Sequence, residues 1–159
     1  MAFSLRTFFL LCGVSGLLTG ARSWPGKNRE GCCPKGWTQL DDHCYIYQDD
    51  PRSFADAENV CNILGGNLAS ITSAVKNAVV YQLVLAGSGS EAWIGLSDAV
   101  EDGEFFWTDG KFFDFENFAS GEPAPEDCVV IDSGGEWATQ DCANQQSYVC
   151  IMEAYCCKY

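Results

Sequence analysis

Cysteines and paired carboxylates are the residues of this chain best suited to chemistry. The acidic pairs Asp49-Asp50 and Glu126-Asp127 have the donor atoms for proton transfer or for holding a cation. With 22 acidic residues in 159, however, such pairs arise without any special role. The single histidine, His43, stands alone, and neither a Ser/Cys–His constellation nor a Gly-rich phosphate loop is present. The chain is therefore not expected to be an enzyme. Cysteines 32, 33, 44, 61, 128, 142, 150, 156 and 157 offer sulfur either to zinc or to disulfides. No Cys-x-x-Cys pair exists and only one histidine is available, so disulfides are favoured over a zinc site. With Cys12 of the N-terminal segment set aside, nine remain, an odd number: one thiol must stay free or capped, or bond to a second chain.

Disulfides need an oxidising compartment, and the N-terminus supplies the route to one. Arg6 precedes a mostly apolar run from Thr7 to Gly20, and Ala21 and Ser23 offer small residues for cleavage. Residues 1–23 read as a secretory signal peptide, too short and wrongly flanked for a membrane span. Cys12 leaves with it. No second long apolar run follows, so a secreted, soluble product without a membrane span is expected. Setting aside Arg6 and Arg22 leaves 7 basic against 22 acidic residues, a net charge of −15. Such a surface repels nucleic acid and anionic membranes and favours solubility or cation binding. A specific cation role and a plain acidic secreted surface both satisfy it.

Residues 24–31 form a short Pro/Gly/charged leader, and a domain is expected over 32–157. Within it, Trp37-Leu40 and Cys44-Tyr47 flank an Asp41-Asp42 turn, which predicts a hairpin. A first helix opens at Arg52-Ser53, with Ser53 as cap and Asp56 three residues on. Phe54, Ala57, Cys61 and Leu64 share one face, and Gly65-Gly66 stops the helix. Ser70 to Ala86 reads as a second helix capped by Thr72 or Ser73. Its apolar face would hold Val75, Val79, Val80, Leu83 and Val84, although so much valine also suits a strand. Beyond the Gly87–Ser90 loop, short β-rich stretches at 92–96, 105–107, 128–131, 136–139 and 148–152 alternate with Gly, Asp and Pro loops. Helices first and strands later make an α+β layout. Trp93 and Trp107 are expected in the core, as are half of the phenylalanines at 105, 106, 112, 113, 115 and 118. The exposed remainder would stack on sugar rings or meet a partner. No Asn-x-Ser/Thr sequon is present, so N-glycosylation is not expected.

Several motifs, in order, carry a resemblance. Cys33-Pro34-Lys35-Gly36-Trp37 is followed by Cys44, Asn67-Leu68-Ala69-Ser70-Ile71 by Trp93-Ile94-Gly95-Leu96, and Gly121 to Cys128 by Trp137 to Cys142. From Cys33 to about Met152 the chain resembles the long form of the C-type lectin-like domain, in the style of small secreted fish lectins and type II antifreeze proteins. The resemblance implies two helices, two small antiparallel sheets and long loops, stapled by Cys33–Cys44, Cys61–Cys150 and Cys128–Cys142. The middle bridge would close a loop of roughly 90 residues and contribute about 4–5 kcal/mol on chain-entropy arithmetic. Because the termini of this fold lie side by side, Cys32 would pair with Cys156 or Cys157. The thiol left over then favours a disulfide-linked homodimer.

In sugar-binding members of that family a calcium ion bridges protein and saccharide. Glu122 and Glu126 match two of its ligand positions, while Ala124, Ala138 and Thr139 replace three others. The binding loop, Glu122, Pro123, Ala124 and Glu126 with Trp137, Ala138 and Thr139, is also shorter than in typical sugar binders. The Trp137–Cys142 spacing stops Gln140 and Asp141 from sliding into the missing places. Calcium needs six to eight oxygens, so the bridged sugar site is expected to be degenerate and no cofactor to be required. Asp98, Asp102, Glu126 and Asp127 match an auxiliary calcium position, which leaves weak binding there or a plain solvated turn. The implied function is recognition of carbohydrate or glycoprotein in innate defence. A lectin-like module that binds protein is one alternative. Ice binding is another, disfavoured by having only four threonines after residue 23 (Thr38, Thr72, Thr108, Thr139).

Overall fold

Residues 31–87 and 89–156 are described by a computed structural model. The expected signal peptide over 1–23 and nearly all of the expected leader lie outside them. The elements run β1 (Gly31–Cys32), β2 (Thr38–Leu40), β3 (His43–Arg52), α1 (Phe54–Ile63), β4 (Asn67–Leu68), α2 (Ala74–Ala86), β5 (Glu91–Ser97), β6 (Phe106–Trp107), β7 (Cys128–Asp132), β8 (Trp137–Gln140), β9 (Gln146–Glu153) and β10 (Tyr155–Cys156).

Local chemistry explains the helix ends. Ser53 Oγ accepts from the Asp56 amide at 3.3 Å and donates to the Asp56 carboxylate at 2.9 Å, closing the first turn of α1 from both sides. After the Leu64 cap, Gly65 takes φ +94°, a left-handed turn that ends the helix. Gly66 must be glycine for another reason: a Cβ there would stand 1.9 Å from the Ile151 carbonyl oxygen. Ser73, not Thr72, caps α2, accepting from the Lys76 amide. That helix starts four residues later than the sequence suggested. Asn67-Leu68 pairs with β9, and Ser70 points its hydroxyl at Asp109, so the backbone is already committed upstream. Val80 and Val84 are buried as expected, whereas Val75 faces water.

The anticipated hairpin forms, with Asp41 in the left-handed region at φ 52° and Leu40 opposite His43. The sheets differ in detail from the two small antiparallel ones anticipated. One is the two-stranded β1–β10 pair; the other has eight strands in the order β2-β3-β9-β5-β7-β8, with β4 attached to β9 and β6 to β5. All pairs are antiparallel except β5–β9, where the chain passes through β7 and β8 before returning beside β5 in the same direction. The β1–β10 register sets Gly31 opposite Cys156, which brings the two ends of the domain together. The side chains of Cys32, Cys156 and Cys157 lie outside the described residues.

Two cores result. One gathers Val80 and Val84 with Ile94, Leu96, Val129, Ile131 and Trp137; the other gathers Ala57, Cys61, Leu68, Trp93, Val130 and Tyr148. Among the described residues the bridges are Cys33–Cys44, Cys61–Cys150 and Cys128–Cys142, and the second ties α1 to β9. Trp93 and Trp107 are buried. Phe105, Phe113, Phe115 and Phe118 pack on the first core, leaving Phe106 and Phe112 to solvent at 51% and 89% exposure.

Trp137 is the centre of the aromatic cluster. Trp107, Phe115 and Phe118 meet it edge-on at 5.6–5.8 Å. Its indole N–H donates to Asn77 Oδ1 at 2.8 Å, and Asn77 Nδ2 donates to the Gly135 carbonyl. Replacing Asn77 with Ala leaves that buried N–H without an acceptor, an expected loss of about 1–3 kcal/mol in urea unfolding. A loss within error would contradict this role for Asn77.

Candidate ligand-binding loop

The loop is hung on β8. Trp137 N donates to the Asn117 carbonyl and Ala119 N to the Trp137 carbonyl, both at 2.9 Å, so residues 117–119 run alongside the start of the strand. Gly121 then turns with φ +95°, and the Glu122–Pro123 peptide bond is cis. At the far side Cys128–Cys142 fastens β7 to the segment after β8, and the Asp98 amide donates to the Asp127 carbonyl at 3.1 Å.

This path sets Glu122 against Thr139. Glu122 Oε2 accepts from the Thr139 hydroxyl at 2.7 Å, the Thr139 amide at 3.0 Å and the Ala124 amide at 2.9 Å. The Ala124 amide is shared with Thr139 Oγ1 at 2.8 Å. A hydroxyl has one proton, and the carboxylate at 2.7 Å takes it in preference to the Ala124 carbonyl at 3.2 Å. The Thr139 backbone N–H is the largest cause holding the Glu122 carboxyl below the usual glutamate range. Partial burial opposes it, and the Thr139 hydroxyl and the Ala124 amide add to it.

The donor set does not fit a bridging calcium ion, which needs six to eight oxygens. One Glu122 oxygen already carries three protein donors, and Ala124 and Ala138 offer methyl groups. Glu126 is exposed, and Trp137 is buried beneath the loop. Nor are the auxiliary residues gathered: among the described residues no three Asp, Glu, His or Cys side chains form a metal-holding group. Asp98 is the partial exception. Its Oδ2 accepts from the Gly103 amide at 2.9 Å, while its Oδ1 is buried and unpartnered. Asp102 and Glu126 point to solvent. Sequence reasoning counted Thr139 only as the replacement of a calcium ligand and missed its part as the donor that occupies Glu122. The available signal was that hydroxyl two residues after Trp137.

A two-helix, disulfide-stapled α+β fold with a long loop over β7 and β8 is that of a lectin-type recognition domain. Residues 50–152 match the lectin C-type domain family, and the chain belongs to it. It is 38% identical to ladderlectin of Oncorhynchus mykiss over 120 residues, covering 70% of this chain and 63% of that protein. With the galactose-specific lectin nattectin of Thalassophryne nattereri it shares 34% over 125 residues, 74% of this chain and 79% of that one. Among solved structures, the herring type II antifreeze protein superposes with a TM-score of 0.72 at 27% identity, over 76% of this chain and 98% of that chain.

Two outcomes follow from the Glu122 geometry. Thr139→Val should cost about 1–2 kcal/mol of stability in denaturant titration, since it removes the hydroxyl's bond to Glu122 and its share of the Ala124 amide while nearly keeping the shape. An acid whose folded pKa is depressed stabilises the fold above its unfolded value and loses that contribution as pH falls through the folded one. Hydrogen-exchange protection of the Ala124 and Thr139 amides should therefore fall as pH drops below about 4.5, and Glu122→Gln should flatten the dependence. Unchanged protection down to strongly acidic pH would contradict the assignment.

Proposed function

We propose that this chain is a secreted recognition protein of innate defence that binds carbohydrate or glycoprotein without a calcium bridge. The observation that carries the reading is the capture of Glu122 by Thr139 and Ala124. An ion-bridged saccharide needs that carboxylate free, and here the protein's own donors hold it. Saccharide contact then falls to the exposed polar atoms of residues 121–126 and to solvent-facing aromatic rings such as Phe112 and Phe106. The relatives support a sugar rather than a reaction as the object of the site, and nattectin, named as galactose-specific, suggests galactose as the first probe. Weak calcium binding at Asp98 alone would leave this reading intact.

Ice binding draws on the antifreeze neighbour but finds little surface here. Of the four threonines after residue 23, only Thr38 is exposed, and Thr139 is turned inward to Glu122. The odd cysteine count after residue 23 favours a disulfide-linked dimer, which electrophoresis with and without reductant would reveal.

The test is binding of the mature protein to a glycan array and to galactose and mannose resins, with and without chelator. Binding that survives chelation is expected. Retention that requires calcium would overturn the reading, and binding to no glycan at all would favour a protein ligand instead.

A further inference from the structure

A cavity of about 570 Å³ shares no residue with the Glu122 loop. Its volume falls within the range of small-molecule sites, about 300–1,000 Å³. The lining comes from the end of α1 (Gly65, Gly66), from β4 (Asn67), from His43 at the start of β3, from Asp109 and Lys111, and from residues 151–155. Four separate stretches of chain thus converge on one hollow.

Its charges are unevenly committed. Lys111 Nζ lies 2.8 Å from Asp109 Oδ2, 3.0 Å from Ser70 Oγ and 3.4 Å from His43 Nε2, which uses all three ammonium hydrogens when that ring nitrogen accepts. Burial alone would raise the Asp109 carboxyl, but hydrogen bonds from Lys111 and Ser70 outweigh it and hold the group below the usual range. Lys111 and Asp109 therefore cancel. Asp42 Oδ1 lies 2.6 Å from His43 Nδ1, a close contact that orients the ring, although Nδ1 makes no directed hydrogen bond.

Glu153 is different. It sits directly across the β3–β9 ladder from His43, it is exposed, and among the described residues its carboxylate has no ion pair or hydrogen bond. Two residues further on, Tyr155 lines the same cavity with its side chain 57% exposed. A spare carboxylate beside an accessible aromatic ring attracts a cation and repels an anion. The remaining wall has polar side chains at Asn67 and His43 and apolar ones at Ile151, Met152 and Ala154. That suits a ring with hydroxyls on one edge and C–H groups on a face better than a bare alkyl chain.

We infer that this cavity is a second binding site, independent of the loop, for a hexose-sized amino sugar carrying a free, protonated amine. Glu153 pairs with the ammonium, Tyr155 covers it, and Asn67, whose Nδ2 donates to Glu58 Oε1 at 2.7 Å, offers its remaining Oδ1 to a hydroxyl. The uncommitted Glu153 carboxylate keeps phosphorylated and sulfated sugars out.

Two-dimensional amide NMR of the mature protein tests this with glucosamine, N-acetylglucosamine, glucose 6-phosphate and hexylamine, at a pH that keeps the amines protonated. Glucosamine should shift the Gly65, Gly66 and Asn67 amides saturably. N-acetylglucosamine, which lacks the charge, should bind about tenfold more weakly. Glu153→Gln should weaken glucosamine about fivefold, and Tyr155→Ala should also weaken it. Both residues are exposed, so neither change threatens folding. Glu122→Gln should leave glucosamine binding unchanged, which separates this site from the loop. Equal binding of N-acetylglucosamine or hexylamine, binding of the phosphate, indifference to Glu153→Gln, or no saturable shift at all would each overturn the assignment.

Discussion

The interaction on which the functional account depends is the carboxylate of Glu122 held by three donors from its own domain. Two are backbone amides and one is the Thr139 hydroxyl, all within 3.0 Å of one oxygen. A carboxylate so engaged is already solvated by protein, and a cation would have to replace those bonds rather than fill an empty cage. The loop therefore closes on β8 through hydrogen bonds, where the sugar-binding pattern described above would close on an ion. Residues 117–119, Gly121 and the Cys128–Cys142 bridge set the ends of the path and bring Glu122 to Thr139.

The scaffold makes this arrangement stable. Trp137 links the loop to the first core through three edge-on rings and a hydrogen bond to α2. The Cys61–Cys150 bridge ties α1 to β9, which also borders the second cavity. Strand β9 is therefore the spine of the domain, touching β3, β4 and β5 at once. Apart from Thr139, the anchors of the loop lie outside the positions matched to calcium ligands: the Trp137 cluster and the Cys128–Cys142 bridge.

Much of the fold was legible in the sequence, for identifiable reasons. The Ser53–Asp56 cap and the Gly65-Gly66 stop are local signals, and α1 obeys them. The five later strands fell where β-branched and aromatic residues alternate with turns. The two-residue strands β1, β4 and β10 carry no periodicity of their own and exist only through distant partners. The start of α2 was misplaced for the same reason, since Leu68 and Ser70 answer to β9 and Asp109. At the loop, the losses at Ala124 and Ala138 could be read directly. The replacement bond could not, because Thr139 lies 17 residues from Glu122 and only the fold brings the hydroxyl to the carboxylate. The cavity at Lys111 was invisible because four separate segments build it.

Calorimetric titration of calcium into the mature protein at neutral pH, beside the same titration of Glu122→Gln, tests the central claim most directly. If Thr139 and Ala124 occupy the carboxylate, the two proteins will give superimposable isotherms. A saturable heat in the natural chain, abolished by Glu122→Gln, would mean that the ion displaces those donors and that the loop is a working calcium site.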